Sequence, residues 1–124
     1  MTYFFDNNLS PRLVEGLRAF GEDVVHLRDE FPDETDDTVW LPEIGRRGWY
    51  LVTHDKKISK KPAEIRALKQ AGVGAFVFTQ QRDLPMWGWV ETVVKRWVEI
   101  NRWAAEHQRP FVAGIPERGR IRLL

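Results

Sequence analysis

Tyr3-Phe4-Phe5-Asp6-Asn7-Asn8-Leu9-Ser10-Pro11 runs from an apolar strand straight into a carboxylate, two amides and a helix start. Residues 2–5 alternate little and are mostly aromatic, the pattern of a short buried strand. Ser10 is a good N-cap, and Pro11 suits the first helical position because its missing N–H would have no partner there anyway. Leu13, Val14, Leu17 and Phe20 then recur at helical spacing, with Gly21 placed to end the helix. Asp23-Val24-Val25-His26-Leu27 reads as a second strand. Strand, helix and strand within so few residues make a βαβ unit, which favours parallel pairing through a right-handed crossover.

Working outward, Arg28–Thr35 is acidic, contains Pro32 and reads as a loop. Thr35, Asp36 and Asp37 can each cap a following helix whose apolar face is Trp40, Leu41 and Ile44. Pro42 inside that helix removes a hydrogen bond, and Gly45 and Gly48 weaken it further, so a short or bent helix is expected. Tyr50–Thr53 is a third strand, Lys56–Lys61 a basic loop, Pro62 the start of a helix ending near Gly72, and Ala75–Phe78 a fourth strand. A long amphipathic helix follows from about Met86 to about His107, with Trp89, Val93, Trp97, Ile100 and Ala104 along one face. That stripe reads as core packing rather than as a platform for bases. In the tail, residues 110–124, Phe111-Val112-Ala113 suggests an edge strand followed by a short basic terminus. The expectation is one α/β domain over residues 1–124. A mostly parallel sheet of four or more strands, flanked by helices, occupies 1–82, and the long helix occupies 86–107.

Composition narrows the chemistry. At 124 residues the chain buries a core without staples, and with no cysteine it offers neither disulfides nor thiolate metal sites nor thiol catalysis. His26, His54 and His107 are too scattered for a histidine-rich metal site. No signal peptide is expected, the longest apolar runs fall far short of a membrane span, and a cytoplasmic location is the default reading. The net charge of +1 conceals a division: residues 1–44 carry eleven acids and three basic residues, whereas residues 45–124 carry seven acids and sixteen basic residues. The first part suits metal cations, the second a polyanion.

If the strands are parallel neighbours, Asp6 and Asp55 emerge at the same carboxyl edge of the sheet, where open α/β sheets bind ligands. Hydrolysis of a phosphodiester needs an activated water and help for the leaving oxygen, and divalent cations held by carboxylates supply both. Asp6, Asp37 and Asp55 are therefore candidate catalytic and metal-binding residues for Mg2+ or Mn2+, with Asp36 as a substitute or outer partner. Asn7 or Asn8 would orient a water or a neighbouring carboxylate, and Thr53 and Thr79 would donate to Asp55, Asp6 or a phosphate. Lys56, Lys57, Lys60 and Lys61, with Arg46 and Arg47 on the preceding helix, are candidates for binding RNA. Taken singly, Asp36 and Asp37 also read as helix caps, Asp6 and Asp55 as turn residues, and the lysines as a solvated loop. Their joint placement is what favours a site.

The stretches Phe5–Pro11, Gly21–Asp29, Asp37–Trp49 and Leu51–Asp55 resemble the small PIN-like domains associated with VapC-type toxins, over most of residues 2–79. The resemblance implies a parallel α/β fold, a metal-dependent ribonuclease acting at Asp6, Asp37 and Asp55, and a protein antitoxin as partner; a homodimer is a separate expectation. Two departures stand out. Related proteins often read Asp-Glu-Asn where this chain has Asp6-Asn7-Asn8, and larger PIN domains carry an acid where it has Thr79-Gln80-Gln81. A set of three carboxylates is expected to bind only one metal well, or to bind it weakly. The rival from another class is a phosphoacceptor receiver-like domain with Asp55 as acceptor and Thr79 after the fourth strand. That plan requires a fifth strand ending in lysine, which the sequence does not offer, and it leaves Asp37 without a role. A third reading is a catalytically inert PIN-like binding module.

Overall fold

Successive residues of a strand face opposite sides of the sheet, so an unbroken apolar strand calls for a packed layer on each side. The computed structural model, which describes residues 1–55 and 61–124, supplies both layers. Strand β1 (Tyr3–Phe5) leads through helix α1 (Pro11–Ala19) to β2 (Val24–His26). Helices α2 (Leu27–Glu30) and α3 (Asp37–Arg46) precede β3 (Tyr50–His54), and α4 (Pro62–Gln70) precedes β4 (Gly74–Phe78). Helix α5 (Met86–Glu106) leads to β5 (Phe111–Ile115) and β6 (Arg122–Leu123). The strands form one sheet in the order β2-β1-β3-β4-β5-β6. The first five are parallel, and β6 closes the edge antiparallel to β5.

Tyr3 and Phe5 pack on the side that receives Leu13, Val14 and Leu17 of α1 and Val93, Trp97 and Ile100 of α5. Phe4, between them in sequence, packs on the other side with Leu27, Trp40, Ile44 and Leu68. The tryptophan-bearing face of α5 is thus core, as its spacing predicts. Each helix that follows a strand starts at the carboxyl edge and runs back, so helix N-termini and strand C-termini gather at one end of the sheet.

Three local expectations change. The stretch Arg28–Thr35 is not all loop, because α2 takes in Arg28, Asp29 and Glu30. Its cap is unusual: the His26 ring accepts from the Arg28 N–H at 3.2 Å, and the Asp29 carboxylate accepts from the His26 N–H at 2.8 Å. In the tail, Phe111–Ile115 is an interior strand, buried throughout, and the edge belongs to Arg122–Leu123. Finally, Gly45 is more than a weak helix former. A Cβ there would lie 1.9 Å from the Ala71 carbonyl oxygen, so the glycine lets α3 pass against the end of α4.

Gly45→Ala is therefore expected to destabilise the fold by about 1–3 kcal/mol, the usual cost of overpacking. Gly16, on the exposed face of α1, would place a Cβ in open space. Gly16→Ala is expected to stabilise by about 0.5–1 kcal/mol. Urea melts of the two variants check the opposite signs.

Candidate functional site

Asp6 follows the last residue of β1 and lies almost wholly out of solvent, 8% exposed. The Thr53 hydroxyl donates to its Oδ2 at 2.7 Å, and the backbone N–H of Asn8 donates to Oδ1 at 3.1 Å. The Asn8 amide donates to both Asp6 Oδ2, at 3.4 Å, and Thr53 Oγ1, at 3.3 Å, closing a small network between the ends of β1 and β3. The loop is fixed from the other side, where the buried ring of His26 donates from Nε2 to the Leu9 carbonyl at 2.8 Å. Burial pushes the Asp6 carboxyl up to about 6; the hydrogen bonds from Thr53 and Asn8 oppose the rise, and the charge of Asp55 adds to it.

Asp36 and Asp37 divide their work. Asp36 is the N-cap of α3, accepting from the backbone N–H and the hydroxyl of Thr38, both at 2.9 Å, which holds its carboxyl below the usual range. Asp37, the first helical residue, lines a cavity of about 200 Å³ that it shares with Asp6, Asn8, Thr53 and Asp55. Its carboxyl is pushed up, first by burial, then by its hydrogen bond with Asp36 and the charges of Asp36 and Glu64.

Glu64 is a fourth carboxylate in the same cavity, and sequence reasoning passed over it. It stands in the first turn of α4, with Lys61 Nζ 3.4 Å from its Oε1. The signal was available: α4 follows a strand and starts at the carboxyl edge, so a first-turn acid reaches the site just as Asp37 does. Trp40, Leu41, Leu51 and Leu68 give the cavity an apolar wall.

The remaining candidates lie elsewhere. The Asn7 side chain donates to the Asp33 carbonyl at 2.7 Å, away from Asp6. The Thr79 hydroxyl is turned to the Ile115 carbonyl on β5, at 3.4 Å, and does not line the cavity. Arg46 and Arg47 end α3, about 14 Å along the axis from Asp37 at 1.5 Å per residue, so the structure does not bring them to the cavity. Both pair with Glu43, and the Arg47 guanidinium also covers the Trp49 ring at 4.7 Å. Lys56, Lys57 and Lys60 lie outside the described residues. His54 stays clear of the cavity lining, its Nε2 3.0 Å from the Gln80 carbonyl and its ring against Trp89.

The donors around this cavity are all oxygen: four carboxylates, the Asn8 amide and the Thr53 hydroxyl. That set suits a hard divalent cation such as Mg2+ or Mn2+. Buried Asp6 has no salt bridge among the described residues, so its charge calls for the compensation a cation would give. Among the described residues, no three acids or histidines are gathered closely enough to hold an ion as they stand. No helix among them is long and apolar enough to cross a membrane.

The receiver-like plan fares less well. A fifth strand does exist, yet it ends Ile115-Pro116-Glu117 with no lysine, and Thr79 is engaged with its backbone. A family model described as a PIN like domain matches residues 1–80. No curated protein and no solved structure matches the chain. The chain belongs to the PIN-like domain family, with its nuclease type of fold.

Proposed function

We propose that this PIN-like domain is a metal-dependent endoribonuclease that hydrolyses RNA phosphodiesters in the carboxylate cavity. The observation that carries the reading is that Asp6, Asp37, Asp55 and Glu64, from four separate segments, line one cavity at the carboxyl edge of the sheet. Asp6, Asp37 and Asp55 would hold Mg2+ or Mn2+, with Glu64 as the fourth carboxylate in place of those the sequence lacks. A cation so held would supply activation of the attacking water and compensation for charge on the departing ribose oxygen. The chain's own residues set the stage: Thr53 and Asn8 fix the Asp6 carboxylate, and the apolar wall shields one side from bulk water.

The biological setting we propose is the toxin of a toxin–antitoxin pair, because an uncontrolled ribonuclease needs an inhibitor. The antitoxin would act by placing an arginine or lysine among the acids, where unbalanced negative charge favours a cation. The test is incubation of the purified chain with labelled RNA in Mg2+, in Mn2+ and in chelator. Cleavage in the metals that stops in chelator is expected. An intact RNA in all three would favour an inert PIN-like binding module.

A further inference from the structure

A second cavity, of about 80 Å³, opens where the loop after β4 and the turn after β5 meet α5. Its polar lining is Gln80, Arg82, Thr92, Lys95, Arg96 and Glu117. Three cations against one acid reverse the sign of the carboxylate cavity, yet both lie at the carboxyl side of the same sheet. The carboxylate cavity is built on the ends of β1 and β3, and Gln80 and Glu117 follow β4 and β5. Parallel strands are spaced about 4.8 Å apart, so roughly 10 Å separates β3 from β5. The carboxylate cavity lies on the α3 and α4 side of the sheet and this one on the α5 side, so a single strand of RNA joining them passes over the carboxyl edge between β3 and β5.

The cations are held in different ways. Arg96 is only 8% exposed, an uncommon state for arginine, and is fixed by the Pro116 carbonyl at 3.0 Å and the Glu99 carboxylate at 3.2 Å. Arg82 is ion-paired with Glu117. Lys95, exposed on α5, makes no salt bridge among the described residues. Buried Gln80 ties the loop together by donating to the Arg82 carbonyl at 3.3 Å. The cavity thus combines a buried guanidinium held by Glu99, a guanidinium paired with Glu117, and an ammonium that makes no salt bridge among the described residues. Such a set suits a phosphate, which would gain Lys95 outright and compete with Glu117 for Arg82.

We propose that this cavity is a phosphate subsite for the RNA backbone, seating a phosphate further along the strand from the one at the carboxylates. The choice of RNA as ligand rests on the ribonuclease reading, while the preference for phosphate rests on the cations themselves. Contacts of this kind position the strand without reading its sequence.

Binding of a fluorescent ten-nucleotide single-stranded RNA to the Asp6→Asn variant, titrated over a range of salt without divalent cations, tests the subsite. Lys95→Gln is expected to weaken binding several-fold and to reduce the slope of log affinity against log salt by about 0.7, the value for one single-strand phosphate contact. Glu117→Gln, which frees Arg82, is expected to tighten binding. Lys69→Gln, an exposed lysine in the last turn of α4 at the other end of the sheet, serves as control and should change little. Equal affinity and slope for Lys95→Gln and its parent, or equal effects of Lys95→Gln and Lys69→Gln, would overturn the subsite. If the unsubstituted chain fails to cleave RNA in Mn2+ but Lys95→Gln still weakens binding, the ribonuclease reading falls and the subsite stands. If the chain cleaves while Lys95→Gln leaves KM and salt slope unchanged, the subsite alone falls.

Discussion

Asp6→Asn and Asp55→Asn are each expected to lower RNA cleavage by more than about a hundredfold while leaving the fold intact. Even partners one step removed from a metal typically cost 10–100-fold when changed, so a direct ligand should cost at least as much. Asparagine matches aspartate in volume. At position 6 its oxygen can still accept from the Asn8 N–H, and the Thr53 hydroxyl can turn from donor to acceptor. Glu64→Gln is expected to have a smaller effect, about tenfold, because its side chain is 44% exposed and already shared with Lys61. Asn7→Ala and Thr79→Val, which remove groups engaged with Asp33 and Ile115, should cleave at close to the unsubstituted rate. Single-turnover cleavage in Mn2+, with circular dichroism to confirm folding, separates these classes. Wild-type rates for both Asp6→Asn and Asp55→Asn would remove the carboxylate cavity from the mechanism.

What could be read from the sequence follows the reach of local rules. Asp6 and Asp55 were legible because each follows an apolar strand, and parallel strands bring their ends to one edge whatever the details of packing. Asp37 was legible as an acid at a helix start, but its separation from Asp36 was not. Both residues satisfy the cap pattern, and only the structure shows Asp36 spent on Thr38 while Asp37 faces the cavity. Glu64 obeys the same geometry, yet it stands just past the Lys56–Lys61 stretch, whose charge drew the reading toward RNA binding. Arg46 and Arg47 show the opposite failure. Closeness in sequence to the third strand suggested closeness to its carboxyl end, whereas α3 runs toward the amino end and carries them away. The fifth strand was read, but as an edge, since the register that makes Phe111–Ile115 interior is set by residues more than thirty positions earlier in β4. The short helix α2 was hidden by its cap, a histidine where serine, threonine, aspartate or asparagine is the usual sign.

Asp6→Asn is also expected to stabilise the metal-free protein, and only above mildly acidic pH. The carboxyl of Asp6 stands at about 6 in the folded chain against 3.8 for the ordinary group, chiefly through burial. The folded state therefore binds this proton more tightly than the unfolded state, and stability falls as pH rises from about 4 to about 6 and then levels. The charged group costs on the order of 3 kcal/mol at pH 7, taking 1.36 kcal/mol for each pH unit between the two values. Asparagine carries no such charge. The variant should gain roughly 10 °C in melting temperature at pH 7–8, with the difference closing near pH 4. Asp55→Asn should move in the same direction by less, since the charge of Asp55 is the weakest of the named influences on Asp6. A divalent cation supplies the missing compensation to the charged form. Mn2+ at about a hundred times its dissociation constant should raise the unsubstituted protein by about 2.7 kcal/mol and the Asp6→Asn variant much less. Thermal melts of the three proteins between pH 4 and 8, with Mn2+ and with chelator, measure every part of this. A stability difference that stays constant with pH would mean that Asp6 is not a buried charge, and with it would go the electrostatic reason for a cation at this edge of the sheet.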